Sequence, residues 1–537
     1  MSLTKATYSM VNGAPLNVFD YGVTGDGVTD DTSNLQAAID AAQTTEKQLI
    51  VPPGNYKVTQ LTVDCSKPFT LLGAGKDTVT FSSTRGIFSL SNTKVGDTTL
   101  AAAIAFGAST ITVASATGIQ KGQLLVIRST ESFEETERSG TKDAAFVVAD
   151  VSGTTVTLET SARFTFSVTG YTPTVWTYDI PQIQISGVTF SSTMASDAAV
   201  VLGNYVGNVS LVNCAITDPN KTDRRLIDSV SGAQFNRSAN IVVDGVDLSY
   251  MGYAIYLIAT CNSKLSNLSS YLCRHTENVA LGASLTLVEN STASTCYAGF
   301  DSHQEAMDTK FVNCESTADT VPNKFRGRQD VVVNCKLSAA SFETDAGIIA
   351  SSAFADGTEQ SYFIRKDAIG CTIGPDTTGK SIKANGIYVN FVNSVFLGCA
   401  YPTEGRYVTI DGCYFNSLGT ANCRLPTATV KGVYVDTVAI GTGGSGRALS
   451  FLVASASMRL DIEGCSFDGF DIAVRFSDTG DHPFWNISNS TIKNCTTAGV
   501  YFSGATAMGS MQNLYFTGNT ADISGTVTKS ANSYTLV

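Results

Sequence analysis

The chain has 537 residues, 43% of them hydrophobic and only 15% charged, with a net charge of −12. Ordinary globular proteins carry about 25% charged residues, so this surface is clothed in Ser, Thr and Asn. An acidic molecule without a Lys/Arg run repels a phosphate backbone, which argues against nucleic acid as a partner, and no apolar run is long enough for a membrane span.

The stretch from Met1 to Gly13 lacks the charged-then-apolar pattern of a secretory leader. The 13 cysteines, an odd number without a CxxC pair, read as buried, inert thiols rather than as a disulfide or zinc framework. Residues 1–16 read as a neck or linker.

A distinct unit follows over 17–91. Asn17-Val18-Phe19-Asp20-Tyr21-Gly22 precedes Gly25-Asp26-Gly27-Val28-Thr29-Asp30-Asp31-Thr32, and Leu35, Ala38, Ile39 and Ala42 then recur at helical spacing. Ser33 with Gln36 fits a capping box, and Asp30 and Asp31 suit the positive end of a helix. Strand signals follow at Leu49-Ile50-Val51 and from Pro52-Pro53-Gly54 to Val58. Asp26, Asp30 and Asp31 lack the Glu-terminated spacing of a calcium loop. Leu71-Leu72-Gly73-Ala74-Gly75 lies between strands and is too short a signal for a dinucleotide site.

Residues 92–178 carry strands separated by turn residues, among them Ala108–Val113, Leu124–Ile127, Ala145–Val148 and Thr155–Leu158. They are expected to form a small β-domain inserted between early coils.

From 179 to 522 one short phrase recurs: a β-branched or aromatic residue, then Asn or Gly, often with Cys next. It stands at Leu211-Val212-Asn213-Cys214, Phe311-Val312-Asn313-Cys314, Val332-Val333-Asn334-Cys335, Ile369-Gly370-Cys371, Phe391-Val392-Asn393, Ile410-Asp411-Gly412-Cys413 and Ile462-Glu463-Gly464-Cys465. The step is 23 residues from Asn267 to Asn290, 23 again to Asn313, and 21 to Asn334. A period of that size, with alternating strands and no helical periodicity, marks one coil of a β-solenoid. Asn tolerates the left-handed turn conformation and can bond to the Asn one coil above. A single amphipathic helix ahead of such a stack covers the apolar end of its first coil. The closing segment, 523–537, is polar and β-prone.

These motifs resemble the opening and the coils of the pectate-lyase-like β-helix of bacteriophage tailspikes and polysaccharide depolymerases. The resemblance implies an all-β, right-handed parallel β-helix assembled as a homotrimer, carried on the virion beside phage tail or baseplate proteins. It further implies action outside the cell on a bacterial surface polysaccharide, capsule or O-antigen, with no cofactor.

The chemistry concentrates in three successive repeats. Histidine occurs only at His275, His303 and His482. His482, beside Pro483 and Trp485, stands alone. The other two lie in Cys273-Arg274-His275-Thr276-Glu277 and Asp301-Ser302-His303-Gln304-Glu305, and Arg326 and Arg328 follow in the next repeat. Residues two apart on a strand share a face, which would place His275 with Glu277, Asp301 with His303 and Glu305, and Arg326 with Arg328. The bland reading is a solvated ionic ladder; the scarcity of these residue types elsewhere favours a site.

Glycoside hydrolysis needs two carboxyl groups about 5–9.5 Å apart. Asp301 and Glu305, four apart on an extended strand, would be roughly 13 Å apart, so Asp301 with Glu277 on the neighbouring coil is the better pair, with His303 tuning it. Elimination from a uronate would instead use Arg326 or Arg328 to neutralise the carboxylate and a histidine or tyrosine as base. The excess of carboxylates ranks hydrolysis first, and a metal held by His275, His303 and a carboxylate ranks second to both. Arg274, His275, Tyr250 and Tyr297, with Tyr253, Tyr256 and Tyr271 nearby, are candidate sugar contacts, because aromatic faces stack on sugar rings. A non-catalytic adhesin is the alternative to an enzyme, and a plant-pectin enzyme stands third.

Overall fold

The computed structural model describes residues 13–133, 141–194, 198–220, 230–303, 305–321, 323–338, 340–343, 365–373 and shorter stretches of 380–527. Most of the neck, the last ten residues, and Gln304, Asn393, Gly412, Gly464 and Cys465 of the motifs above lie outside the described residues. The chain divides into two units, Met1–Thr309 and Lys310–Val537. Among the described residues no helix is long and apolar enough to cross a membrane.

The first unit is a parallel β-helix of three sheets, each taking one short strand per coil. Sheet A runs through Leu49–Val51, Phe69–Gly73, Ile183–Ser186, Gly207–Val212, Ala239–Asp244, Cys261–Ser266 and Ser284–Glu289. Sheet B runs through Leu61–Asp64, Phe88–Ser91, Ala198–Asn204, Val230–Asn236, Tyr253–Ile258, His275–Ala280 and Ala298–Ser302. Sheet C stacks Asp26–Asp30, Gly54–Lys57, Val79–Ser83, Thr189–Ser192 and the strands on to Thr292–Ser294. Alternation sends one residue in two inward, as in the buried and half-buried sequence of Gly207–Val212.

Asparagine sets the corners. Asn208, Asn240 and Asn262 hold φ of 53°, 55° and 55°. The Asn240 amide donates to Asn208 Oδ1 at 2.9 Å and the Asn262 amide to Asn240 Oδ1 at 2.7 Å, while the Asn208 amide donates to the Ile180 carbonyl. At the next corner Asn213 and Asn267 are left-handed, and Gly245 between them holds φ 64°. Gly and Asn exchange there because both enter that region at little cost. The cysteines beside these corners point inward, and the nine whose side chains are described are buried.

The helix Thr32–Thr45 buries Leu35, Ala38, Ile39 and Ala42, and full burial of a Leu or Ile side chain contributes about 1.5–3 kcal/mol. The Ser33–Gln36 capping box does not form: the helix starts after Asp31, whose side chain makes no cap hydrogen bond. Buried Asp31 instead accepts the N–H groups of Thr24 and Gly25 at 2.7 and 2.9 Å, so a helix-start signal is spent on closing the preceding turn. Gln36 pairs with both backbone groups of Thr62, and Gln43 with those of Asp64. The helix thereby satisfies the open edge of the first sheet B strand.

Between Phe88–Ser91 and Ile183–Ser186 the chain leaves the coils and forms a separate six-stranded antiparallel sheet, from Lys94–Thr99 to Thr174–Tyr178. Ile183–Ser186 then pairs directly with Phe69–Gly73, as though nothing intervened. The inserted sheet packs on the coils through Leu124, Val126, Ala145, Val147 and Tyr178 against Ala239 and Cys261. It is pinned by ion pairs of Arg237 with Asp143 (2.6 Å) and Arg163 with Asp308 (2.5 Å).

The second unit repeats the parallel pairing. Asp330–Val333, Arg365–Ile369, the second half of Lys380–Val392 and Glu404–Asp411 stack in order. Further on, Arg447–Val453, Ile472–Asp478 and Ala498–Gln512 do the same.

Candidate functional site

Two neighbouring sheet B strands, His275–Ala280 and Ala298–Ser302, carry the polar cluster. One register row runs Phe88, Val201, Ala233, Ile255, Glu277, Phe300. Every member is 0% exposed, and the Phe88 ring meets Phe81 and Phe190 in the core. Glu277 therefore occupies an inward row, between Ile255 and Phe300.

The adjacent row, Tyr256, Asn278, Asp301, alternates to the other side of the sheet, where its members are buried as well, at 9%, 1% and 0% exposed. The Asp301 carboxylate Oδ2 lies 3.2 Å from His303 Nε2 and 3.5 Å from His275 Nδ1. Asn278 Nδ2 reaches the same Asp301 oxygen at 3.5 Å and His303 Nε2 at 3.2 Å. Protonated at Nε2, His303 donates to Asp301, and the choice of tautomer decides which of its two neighbours it serves. The His303 N–H bonds to Val279 O at 2.8 Å, extending the ladder beyond Ser302 and fixing the imidazole beside Asp301.

Aromatic rings frame the cluster. The His275 ring lies 5.5 Å from Tyr253 at 10° between planes, and Tyr253 stacks on Tyr256 at 4.8 Å. Tyr297 meets His275 edge-on at 6.5 Å, with the Arg274 guanidinium 5.9 Å from the Tyr297 ring centre. Tyr250 pairs edge-on with Tyr271 at 6.0 Å in the corner before this strand row.

The sequence expectations are met unevenly. His275, Asp301 and His303 come together, with Arg274 and Tyr297 beside them. Glu277 does not join them, and its expected pairing with Asp301 is corrected: Asp301 is in register with Asn278, and Glu277 with Phe300. Strict alternation fails because the strand slips in phase, so that Tyr253 and Tyr256, three residues apart, share the outer side. Likewise His275 and Asn278 face outward while Thr276 turns in to Cys296, Oγ1 to Sγ 3.8 Å.

The 13 Å separation expected for Asp301 and Glu305 assumed an extended chain. The strand ends at Ser302 and Ala306 N–H returns to His303 O at 2.9 Å, so the chain bends between the two. Glu305 is buried, and its carbonyl accepts the Gly282 N–H. Arg326 and Arg328 belong to the second unit and lie between the strands Asn323–Phe325 and Asp330–Val333, so one-strand alternation does not relate them. Arg326 is buried and Arg328 half-buried.

Asn278 is the member sequence reasoning missed. It is uncharged, and only its register beside Asp301 reveals it. Among the described residues no group of three His, Cys, Asp or Glu is arranged to hold a metal ion. What the arrangement can do is move a proton: an imidazole held against a buried carboxylate is the pairing a general base requires.

Residues 16–117 match the rhamnogalacturonase A/epimerase, pectate-lyase-like family. Three solved tailspikes share the fold along most of the chain. The gp49 tailspike of Pseudomonas phage LKA1 is 15% identical with a TM-score of 0.55, over 94% of this chain and 84% of its own. The gp61 tailspike of Pseudomonas phage phi297 is 14% identical with a TM-score of 0.51, over 93% and 80%. The Gp54 tailspike of Acinetobacter baumannii phage AP22, solved with A. baumannii capsular saccharide, is 14% identical with a TM-score of 0.52, over 92% and 77%. The chain has the right-handed parallel β-helix fold of phage tailspikes. No curated protein matches its sequence.

Proposed function

We propose that this protein is a phage tailspike that binds a bacterial surface polysaccharide and cuts it. The observation that carries this reading is the buried cluster of His275, Asp301 and His303 on the outer side of the coils, bordered by Tyr253 and Tyr297 on consecutive coils. The tailspike fold supports it, as does the saccharide bound to the AP22 protein. In this reading the chain assembles as a homotrimer at the phage tail and meets glycan outside the host cell.

Endo-glycosidic hydrolysis is the chemistry we assign, with Asp301 and Glu305 as the carboxyl groups and His303 holding the Asp301 charge. Arg274 and Tyr297 contact the sugar. Glu277, inside the coil, takes no part. That interior placement also favours a second reading, β-elimination, since it removes one of three carboxylates from the cluster and leaves the His303–Asp301 pair as a ready base. Elimination needs a uronate and a single base; hydrolysis needs both carboxyl groups.

The test is incubation of the purified protein with capsular and O-antigen polysaccharides from a strain panel, followed by gel filtration and mass spectrometry. One polysaccharide reduced to uniform oligosaccharides carrying one added water per cut supports hydrolysis. Unsaturated ends move the assignment to elimination. Binding without any change in polymer size leaves an adhesin and sinks the enzymatic reading.

A further inference from the structure

The inserted sheet meets the coils in a cluster of cations and aromatic rings. Trp176 lies with Lys94 Nζ 4.7 Å and Arg128 Cζ 4.9 Å from its ring centre. Its ring is 5.8 Å from that of Tyr205, which stacks on Tyr178 at 5.0 Å and carries the Arg237 guanidinium at 5.8 Å. Arg237 and Arg128 share one buried carboxylate, Asp143, and Lys94 pairs with Asp97. Three cations thus share two carboxylates, in a chain whose overall balance is −12.

Adhesion of the two sheets does not require this. Replacing a buried ion pair by apolar side chains is often neutral or stabilising, and the apolar contacts of Val126, Val147, Tyr178 and Ala239 already join the sheets. The cations also stay open to solvent, with side chains 39% (Lys94), 35% (Arg128) and 26% (Arg237) exposed. A guanidinium has five N–H donors, so two of them on a single carboxylate keep donors to spare.

The cluster also lies in line with the candidate site. Tyr205, Arg237, Ala259 and Leu281 occupy one corner in successive coils, each of the first three donating its N–H to the next coil. Leu281 packs against Tyr253 and Tyr256, the rings beside His275. Arg237 therefore stands two coils, about 10 Å, from the coil of His275 and Asn278, a span that a short run of sugar rings covers.

We propose that Arg128, Arg237 and Lys94, with the Trp176 and Tyr205 rings, form a subsite for a carboxylated sugar, and that the polysaccharide is an acidic, uronate-containing one. The guanidinium groups and the Lys94 ammonium take the carboxylate, and the Trp176 and Tyr205 rings, over which these cations lie, hold them in place. The extension from subsite to polymer rests on the depolymerase reading; the subsite itself does not.

Trp176 is its own reporter, since the only other tryptophan is Trp485. In a Trp485→Phe background, emission is followed on titration with sodium glucuronate, glucose and glucose 6-phosphate at constant ionic strength. Saturable quenching by glucuronate and none by glucose is expected. Affinity should fall about tenfold in Arg237→Met and in the exposed-site variant Lys94→Gln, with circular dichroism unchanged, the size of one lost charge-assisted contact. No saturable response, an equal response to glucose, or undiminished affinity in both variants overturns the subsite, and a preference for glucose 6-phosphate overturns its assignment to carboxylate. A Trp176 response without cleavage of any panel polysaccharide keeps the subsite and rejects the depolymerase.

Discussion

Asp301 and His303 sit two residues apart on one run of backbone, yet they form a contact, 3.2 Å from carboxylate Oδ2 to Nε2, that a neighbouring coil completes through His275 and Asn278. The strand supplies the spacing, and the coil stack supplies the partners. This pair is where substitution should tell most about chemistry.

Asp301→Asn removes the charge and keeps the shape. It should lower the rate of cleavage by about 10²–10⁴-fold, the usual contribution of a positioned acid or base, while leaving polysaccharide binding within a few-fold. Reducing-end release and equilibrium binding, measured on the same preparation, check this. Full activity in the variant would remove Asp301 from the mechanism.

Glu277 should behave in the opposite way. Its carboxylate lies in the inward row between Ile255 and Phe300, so Glu277→Ala leaves a cavity and strands whatever group it serves. A loss of about 2–4 kcal/mol in denaturant unfolding is expected, with cleavage per folded molecule within threefold. A loss of rate without a loss of stability would return Glu277 to the site.

The corner asparagines separate conformation from hydrogen bonding. Asn240 is left-handed at φ 55°, donates to Asn208 and accepts from Asn262. Asn240→Gly forfeits the bonds but keeps the conformation, costing about 1 kcal/mol. Asn240→Ala adds left-handed strain of about 1 kcal/mol more. Urea melts of the two variants give the comparison; equal losses would mean the backbone conformation contributes nothing.

The amino-terminal turn should weaken in acid. The Thr32 hydroxyl and N–H hold the Asp30 carboxyl below its ordinary value, and the N–H groups of Thr29 and Val28 with the Thr29 hydroxyl do the same for Asp26. A depressed folded value means stabilisation that is present above the unfolded pKa, about 3.9, and lost as pH falls through the folded one. Protection of the helix Thr32–Thr45 against hydrogen exchange, taken relative to the intrinsic rate at each pH, should therefore fall below about pH 4. In Asp30→Asn the difference from the parent should be present at pH 7 and absent at pH 2. A difference that persists at low pH would show that the carboxylate charge is not what matters.

The amino-acid sequence by itself determined the solenoid. The corner at Asn267, Asn290, Asn313 and Asn334 holds φ near +50°, where Asn and Gly sit at least cost, so its recurrence is visible as letters. The corner at Tyr205, Arg237, Ala259 and Leu281 holds the same φ with unlike residues and is not. The helix face of Leu35, Ile39 and Ala42 and the clustering of His275, Asp301 and His303 are equally legible, because apolar period and rare residue types survive without coordinates. Which side of a strand each residue takes is not legible. A one-residue slip between Tyr253 and Tyr256 reverses the parity of everything after it, and that slip put Glu277 inside and Asn278 beside Asp301. The same holds for Arg237, Tyr205 and Trp176, brought together from the coils and the inserted sheet across more than 60 positions of chain: only the docking of one sheet on another decides which distant side chains become neighbours.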